Sequence, residues 1–332
     1  MSSTTLTDHV TPCPVSSHVI SADWLGDTVA LVSADGTLVR TNGESDRQET
    51  VLHPDASILV AASDSKRIIT GGDDGRVVSF DAGGSVKTLA ERSGKWIDAV
   101  TTKDGNAFAY STGRDVYASD GRGSEKHLAV SSSARGIAFA PKGYRLAVSH
   151  YNGVTLWFPN IEGKPEFLEW KGSHLDVIWS PDGRFIVTSM QENAMHGWRL
   201  QDMNHMRMTG YPSKIRSFSW SADGKWLATS GADAAIVWPF ETKDGPIGKA
   251  PREYAVRPSR VSKVAFHSRS LVLAIGYEDG CILLVRFSDA AELLVRAPVE
   301  SSAVTALSWN ASGMKLAFGC ADGQAGILTL PS

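Results

Sequence analysis

Cysteine is scarce in this chain. Cys13, Cys281 and Cys320 are the only three in 332 residues. They are too few and too scattered for a disulfide framework, so a reducing cytoplasm is the expected compartment. Long apolar runs are missing too, and no stretch approaches the ~18 residues that a membrane-spanning helix needs. The opening residues, MSSTTLTDHVTPCPVSS, have neither a basic start nor an apolar run and are not expected to act as a secretory signal. Charge of one sign is not in excess. A net charge of -3 supplies no field to hold nucleic acid or a membrane surface, and neither is expected as a partner. Catalytic signatures are absent: no G-x-S-x-G elbow, H-E-x-x-H, P-loop lysine motif or C-x-x-C occurs, and no cofactor is expected. Nor does any segment show helical periodicity, which excludes helical solenoids.

What the chain has instead is repetition. WSPDGRFIVTSMQENAMHGW runs from Trp179 to Trp198, and WSADGKWLATSGADAAIVW runs from Trp220 to Trp238. Six more units follow the same plan, giving units near 19–41, 58–80, 97–119, 136–158, 176–199, 217–239, 264–287 and 306–330. Each has a strand-like run, a polar turn, a short β-rich run, a second turn and a third run. Asp-Gly or Asn-Gly fills five of the eight second turns: Asp35-Gly36, Asp74-Gly75, Asn152-Gly153, Asp279-Gly280 and Asp322-Gly323. These pairs tolerate positive φ and close two-residue hairpins at little strain. The carboxylate or amide of that turn falls at Asp35, Asp74, Asp115, Asn152, Asn193, Asp233, Asp279 and Asp322, in steps of 39, 41, 37, 41, 40, 46 and 43 residues. Asp35, Asp74, Asp233, Asp279 and Asp322 are read as structural, bonding nearby backbone N–H groups.

One more strand-like stretch lies between successive units, ETVLH, VKTLA and EFLEW among them. Four short antiparallel strands per period of about 40 residues are the signature of a propeller blade. The expected fold is therefore all-β, one domain over 1–332, a single β-propeller of eight four-stranded blades, with seven as the alternative. The last unit stops at its third strand, GILTL. Residues 1–15 are expected to supply its fourth strand as a latch, with Pro12 and Pro14 tolerable at the rim. Trp157, Trp198 and Trp238 end third strands and Trp179, Trp220 and Trp309 end first strands. They are read as core between blades, each able to bury ~150–250 Å².

On these residues the chain resembles the WD40-repeat family. The period, the Asp/Asn-Gly turns and the aromatic closing the third strand all match. The best unit is GSHLDVIWSPDGRFIVTSMQENAMHGW, with Gly172 and His174 roughly where the family places its Gly-His pair. No unit contains a literal Trp-Asp pair. The likeness extends from about residue 15 to 330 and is closest to compact, stand-alone, bacterial members of the family. It implies a structural His174, bonded within its blade with Trp198 and Asn193 as candidates. It also implies a non-catalytic protein-interaction scaffold, monomeric, that presents its loops to other proteins.

The loops that enter first strands, together with the second turns, supply the candidate partner surface. Trp96, Arg114, Arg135, Tyr151, Lys214, Arg216, Arg257, Arg260, Lys263 and Tyr277 lie on them, and Arg with aromatic residues is what interface centres favour. The connections that carry Lys214, Arg216, Arg257, Arg260 and Lys263 hold little acid, which points to an acidic segment of a partner protein. The alternative is a propeller that binds a small ligand or zinc, in its channel or through His9, Cys13 and His18, with hydrolytic activity conceivable. Against zinc, an extended strand would hold His9 and Cys13 about 13 Å apart at ~3.3 Å per residue.

Overall fold

Each repeat sets its two most apolar runs side by side and flanks them with a part-buried strand and a polar one. The chain is described by a computed structural model covering residues 5–43, 46–104, 106–123 and 125–331. Second runs are buried along their length, as in Arg67–Gly72, Ala107–Thr112 and Phe185–Met190. Fourth runs are largely exposed, as in Arg47–Val51 and Val86–Glu91. A strand covered on both faces has to be apolar on both, whereas an outer strand can carry Arg, Lys and Glu. Apart from one 3-10 turn at Thr7–His9, every regular element among the described residues is a strand.

Seven hydrogen-bonded sheets form among the described residues, six of four strands and one of six. That count corrects the expected eight to the alternative of seven. The cause lies in the repeats near 136–158 and 176–199, which share the six-stranded sheet because strand bonding runs unbroken through Leu146–Trp157 and Glu166–Trp179. Neither long element is straight. His150 Nε2 lies 2.8 Å from Thr155 Oγ1, although five residues of straight strand would separate their backbones by about 16 Å. Asn152 turns the chain there with φ 70.

The chain forms two compact units. Ala56–Ile215 holds the sheets of Ile58–Ser63, Arg67–Gly72, Arg76–Asp81 and Val86–Glu91, and of Ala99–Lys103, Ala107–Thr112, Asp115–Ser119 and Lys126–Ala129, followed by the six-stranded sheet. Its sheets pack closely. A Cβ placed on Gly71 would lie 2.4 Å from Ile97 Cγ2, so only glycine admits that side chain. Trp179 is buried and sends its indole N–H 3.0 Å to the Ala138 carbonyl, which satisfies its one polar atom inside the core.

Met1–Asp55 with Arg216–Ser332 holds the other four sheets. The last of them contains Val304–Trp309, Lys315–Cys320 and Ala325–Thr329, and its fourth strand is Val10–Pro12, in register Val10 to Leu328 and Pro12 to Gly326. Residues 1–4 of the latch expectation lie outside the described residues. The segment also reaches the neighbouring sheet, where Leu6 N donates to Leu294 O at 2.6 Å. The Leu6 side chain is buried with Val295, Phe318 and Leu328. Leu6→Ala should therefore destabilise the protein by about 2–3 kcal/mol, the usual loss for a buried leucine that bridges two packed elements. Urea unfolding monitored by tryptophan fluorescence would show it as a lower midpoint; an unshifted midpoint would mean that the contact contributes nothing.

The turn carboxylates bond the backbone two residues on. Asp74 accepts from Arg76 N at 2.9 Å, Asp279 from Cys281 N at 3.0 Å, Asp322 from Gln324 N at 3.1 Å and Asp35 from Thr37 N at 3.3 Å. Asp233 is exposed, and its backbone carbonyl accepts from Arg257 N at 2.9 Å. Trp157, Trp198, Trp238 and Trp309 are buried, as the wedge-filling role requires.

Candidate interaction surface

One loop edge of the unit Ala56–Ile215 is built turn upon turn. The connection Arg92–Ile97 folds back over the preceding hairpin: Arg92 N donates to Gly75 O at 2.8 Å and Ile97 N to Gly72 O at 3.1 Å. Gly75 has φ 77, and a Cβ there would lie 2.2 Å from Arg92 O. Only glycine permits so close a clamp. The turn held this way carries Trp96 with 66% of its surface exposed.

The edge continues through hydrogen bonds. Gly113 N donates to Asp98 Oδ2 at 2.6 Å, and Ala134 N to Gly113 O at 2.8 Å. Arg135 N donates to Ser149 O at 3.0 Å, and Tyr151 N to Ser132 Oγ at 2.8 Å. Arg114 and Arg135 are exposed along it, Arg135 with only a loose ion pair of 3.9 Å to Asp98, and Tyr151 is half exposed. Lys95 and Lys171 are exposed in the same connections. Of the predicted residues, this edge brings together Trp96, Arg114, Arg135 and Tyr151.

Beneath the edge sits a buried polar link. His174 Nε2 lies 3.0 Å from the Trp170 carbonyl and Nδ1 lies 2.7 Å from Thr188 Oγ1. A carbonyl only accepts, so Nε2 carries the proton and Nδ1 accepts from the threonine hydroxyl. The ring rests against Trp198, with centroids 5.6 Å apart. Burial keeps His174 below the usual imidazole pKa range, against the Trp170 bond that favours the charged form. Asn193 is not a partner, since its side-chain amide donates to Pro212 O at 3.3 Å. The expected Trp198 contact is present, but Thr188 stands where Asn193 was expected. Thr188 could have been picked from the sequence as the strand hydroxyl that recurs at Thr70 and Thr229.

Comparison with known proteins decides the family. Residues 204–238 match the family described as "WD domain, G-beta repeat", and residues 264–332 match the "Anaphase-promoting complex subunit 4 WD40 domain". Over 97% of its length the chain superposes on 99% of the C-terminal WD40 domain of Sif2, with a TM-score of 0.76 at 13% identity. The chain belongs to the WD40-repeat β-propeller family. Two of its relatives are WD repeat-containing protein 1-B of Xenopus laevis, 27% identical over 156 residues, and cell division cycle 20.1, cofactor of APC complex, of Arabidopsis thaliana, 25% identical over 174. These alignments cover 45% and 49% of the WD40 chain but only 25% and 37% of those proteins.

In the other unit of this WD40 protein, the predicted basic cluster largely dissolves. Tyr277 is fully buried and donates its hydroxyl to the Ala255 carbonyl, so it belongs to the core and not to a partner surface. Arg257 lies over the Tyr277 ring at 5.3 Å and is paired with Asp279 at 3.3 Å, so most of its charge is answered inside the blade. Lys263 is half buried. Arg216 and Arg260 remain exposed. Lys214 belongs to the other unit and is half buried. A Tyr in a second turn looks alike in sequence whether it faces solvent, as Tyr151 does, or the core, as Tyr277 does.

The zinc alternative fails on burial. His9 and His18 are exposed, whereas Cys13 is buried among Val19, Ala22 and Ile327. Burial pushes its thiol up to about 11, against the lowering effect of Arg47, which disfavours the thiolate that zinc requires. Among the described residues no three His, Cys, Asp or Glu side chains come together as a metal site. Hydrolytic chemistry fares no better at the Ser131–His150 pair. Ser131 Oγ lies 3.3 Å from His150 Nδ1, but that nitrogen also faces the Tyr151 carbonyl at 2.9 Å. It must carry the proton there and cannot accept one from Ser131. Cys281 and Cys320 are both buried free thiols.

Proposed function

We propose that this WD40 protein is a non-catalytic scaffold, a monomer of the cytoplasm, whose loop edge in the unit Ala56–Ile215 captures an acidic segment of another protein. The observation that carries this reading is Trp96, a largely exposed indole on a turn that Gly75 holds rigid. A preorganised aromatic loses little entropy on binding and is the kind of residue on which interface energy concentrates. Lys95, Arg114, Arg135 and Lys171 are exposed on the same edge and supply positive charge, while Asp98 accepts from Gly113 N and Glu192 from Ser173 N at 3.1 Å. The name of the Arabidopsis relative, a cofactor of a complex, agrees with an adaptor role. The three free cysteines suit a reducing compartment.

The test is affinity capture from the native cell, identification of the partner by mass spectrometry, and titration of that purified partner. Trp96→Ala should weaken it at least about tenfold, and Arg135→Glu by a similar factor, with unchanged melting temperature. Equal binding by both variants would sink the proposal. Loss of binding only on charge reversal of Arg216 and Arg260 would move the surface to the other unit.

A further inference from the structure

Within the unit Ala56–Ile215 a cleft of about 510 Å³ opens between the sheet of residues 58–91 and the sheet of residues 99–129. One wall carries Arg67, Asp81, Lys87 and Leu89; the facing wall carries Asn106, Phe108 and Glu125. Arg67 is buried, with 8% of its surface exposed. Its Nε meets Asp64 at 3.1 Å, and its Nη2 meets Thr102 Oγ1 at 3.0 Å and the Ala107 carbonyl at 2.8 Å. Nη1 makes no bond to any described residue. A guanidinium held on two of its nitrogens, with the third unspent, is a preorganised donor at the cleft wall. Across the cleft, Glu125 is fixed just as firmly: the Tyr110 hydroxyl donates to it at 2.6 Å and Arg92 pairs with it while lying 4.1 Å over the Tyr117 ring.

The charges narrow the ligand. An anion alone would meet Arg67 and Lys87 but also Asp81 and Glu125. A cation alone would face the reverse conflict. An apolar ligand would cover Nη1 and leave a buried donor unsatisfied. A molecule with a carboxylate at one end and an ammonium at the other conflicts with neither wall, and Leu89 and Phe108 leave an apolar patch for a short side chain. We infer that this cleft binds a small zwitterion of the free amino-acid class, with its carboxylate toward Arg67 and Lys87 and its ammonium toward Glu125.

The experiment is calorimetric titration of the intact protein with L-leucine, L-glutamine, acetate, methylammonium and glucose. Leucine or glutamine should bind, with acetate and methylammonium each at least about tenfold weaker and glucose silent. Lys87→Glu, at an exposed position, should weaken the amino acid at least about tenfold without moving the melting temperature. Failure of both amino acids to bind, acetate or glucose binding equally well, or binding indifferent to Lys87→Glu would each overturn the inference.

Discussion

Arg67→Met should destabilise the protein by about 3–5 kcal/mol, the usual loss when one partner of a buried ion pair is removed. Arg67 and Asp64 are both about nine-tenths buried and lie 3.1 Å apart. Thr102 Oγ1 donates to the same carboxylate at 2.8 Å, so the network ties the sheet of residues 58–91 to the next one. Without the guanidinium, the Asp64 charge would stay buried with one hydroxyl and two backbone N–H groups for company. Part of the loss should return in Arg67→Met with Asp64→Asn, because the uncompensated charge is then gone. Denaturant unfolding of the two variants decides it: equal stability of single and double mutants would mean that Asp64 is solvated and the pair is ornamental.

Lowering the pH from 7 to 5 should remove about 2 kcal/mol of stability through His196 alone. The ring is fully buried, stacked on Trp170 with centroids 4.0 Å apart, with Trp198 at 4.6 Å and His205 at 5.3 Å. Neither nitrogen has a hydrogen-bond partner. Burial first, then the charges of His205, His174 and Arg207, hold its pKa down from 6.5 to about 3. The unfolded chain takes up this proton near pH 6.5, and the folded ring refuses it until about pH 3. The contribution is thus whole above pH 6.5 and falls away as the pH drops toward 3, about 5 kcal/mol in all. His150 and His174, also held low by burial, act in the same direction. His196→Phe removes the titration but keeps an aromatic ring in the stack. The difference in unfolding free energy between pH 7 and pH 5 should shrink by about 2 kcal/mol in that variant. A pH dependence identical to the unsubstituted protein would show that His196 finds a proton acceptor in the folded state.

These two residues also show where reading the chain runs out. Aligned on Thr70, Thr188 and Thr229, Arg67 occupies the place of Phe185 and Trp226. In sequence the apolar run begins at Ile68, and Arg67 looks like the end of the polar turn before it. Its burial depends on Asp64 and on Thr102 from the next sheet, and no local pattern announces such a pairing. His196 sits in MHGWRL as one polar residue before a tryptophan, and only the arrival of Trp170 from another strand covers it. Arg257 and Arg260 are three residues apart and look alike in sequence, yet one is paired inside a blade and the other is exposed.

By itself the sequence determined the repeat, its hairpin chemistry and the class of fold. Asp-Gly and Asn-Gly turns, alternating apolar runs and tryptophans at strand ends are local features, and local backbone preferences act within a few residues. The tertiary structure alone decided that the repeats near 136–158 and 176–199 share one sheet, that Tyr277 is core while Trp96 is surface, and that Arg67 and Glu125 face each other across a cleft. Each of those outcomes depends on which distant strand packs against which side chain, and burial, the quantity that sets charge, pairing and exposure, is a property of that packing and not of the neighbours along the chain.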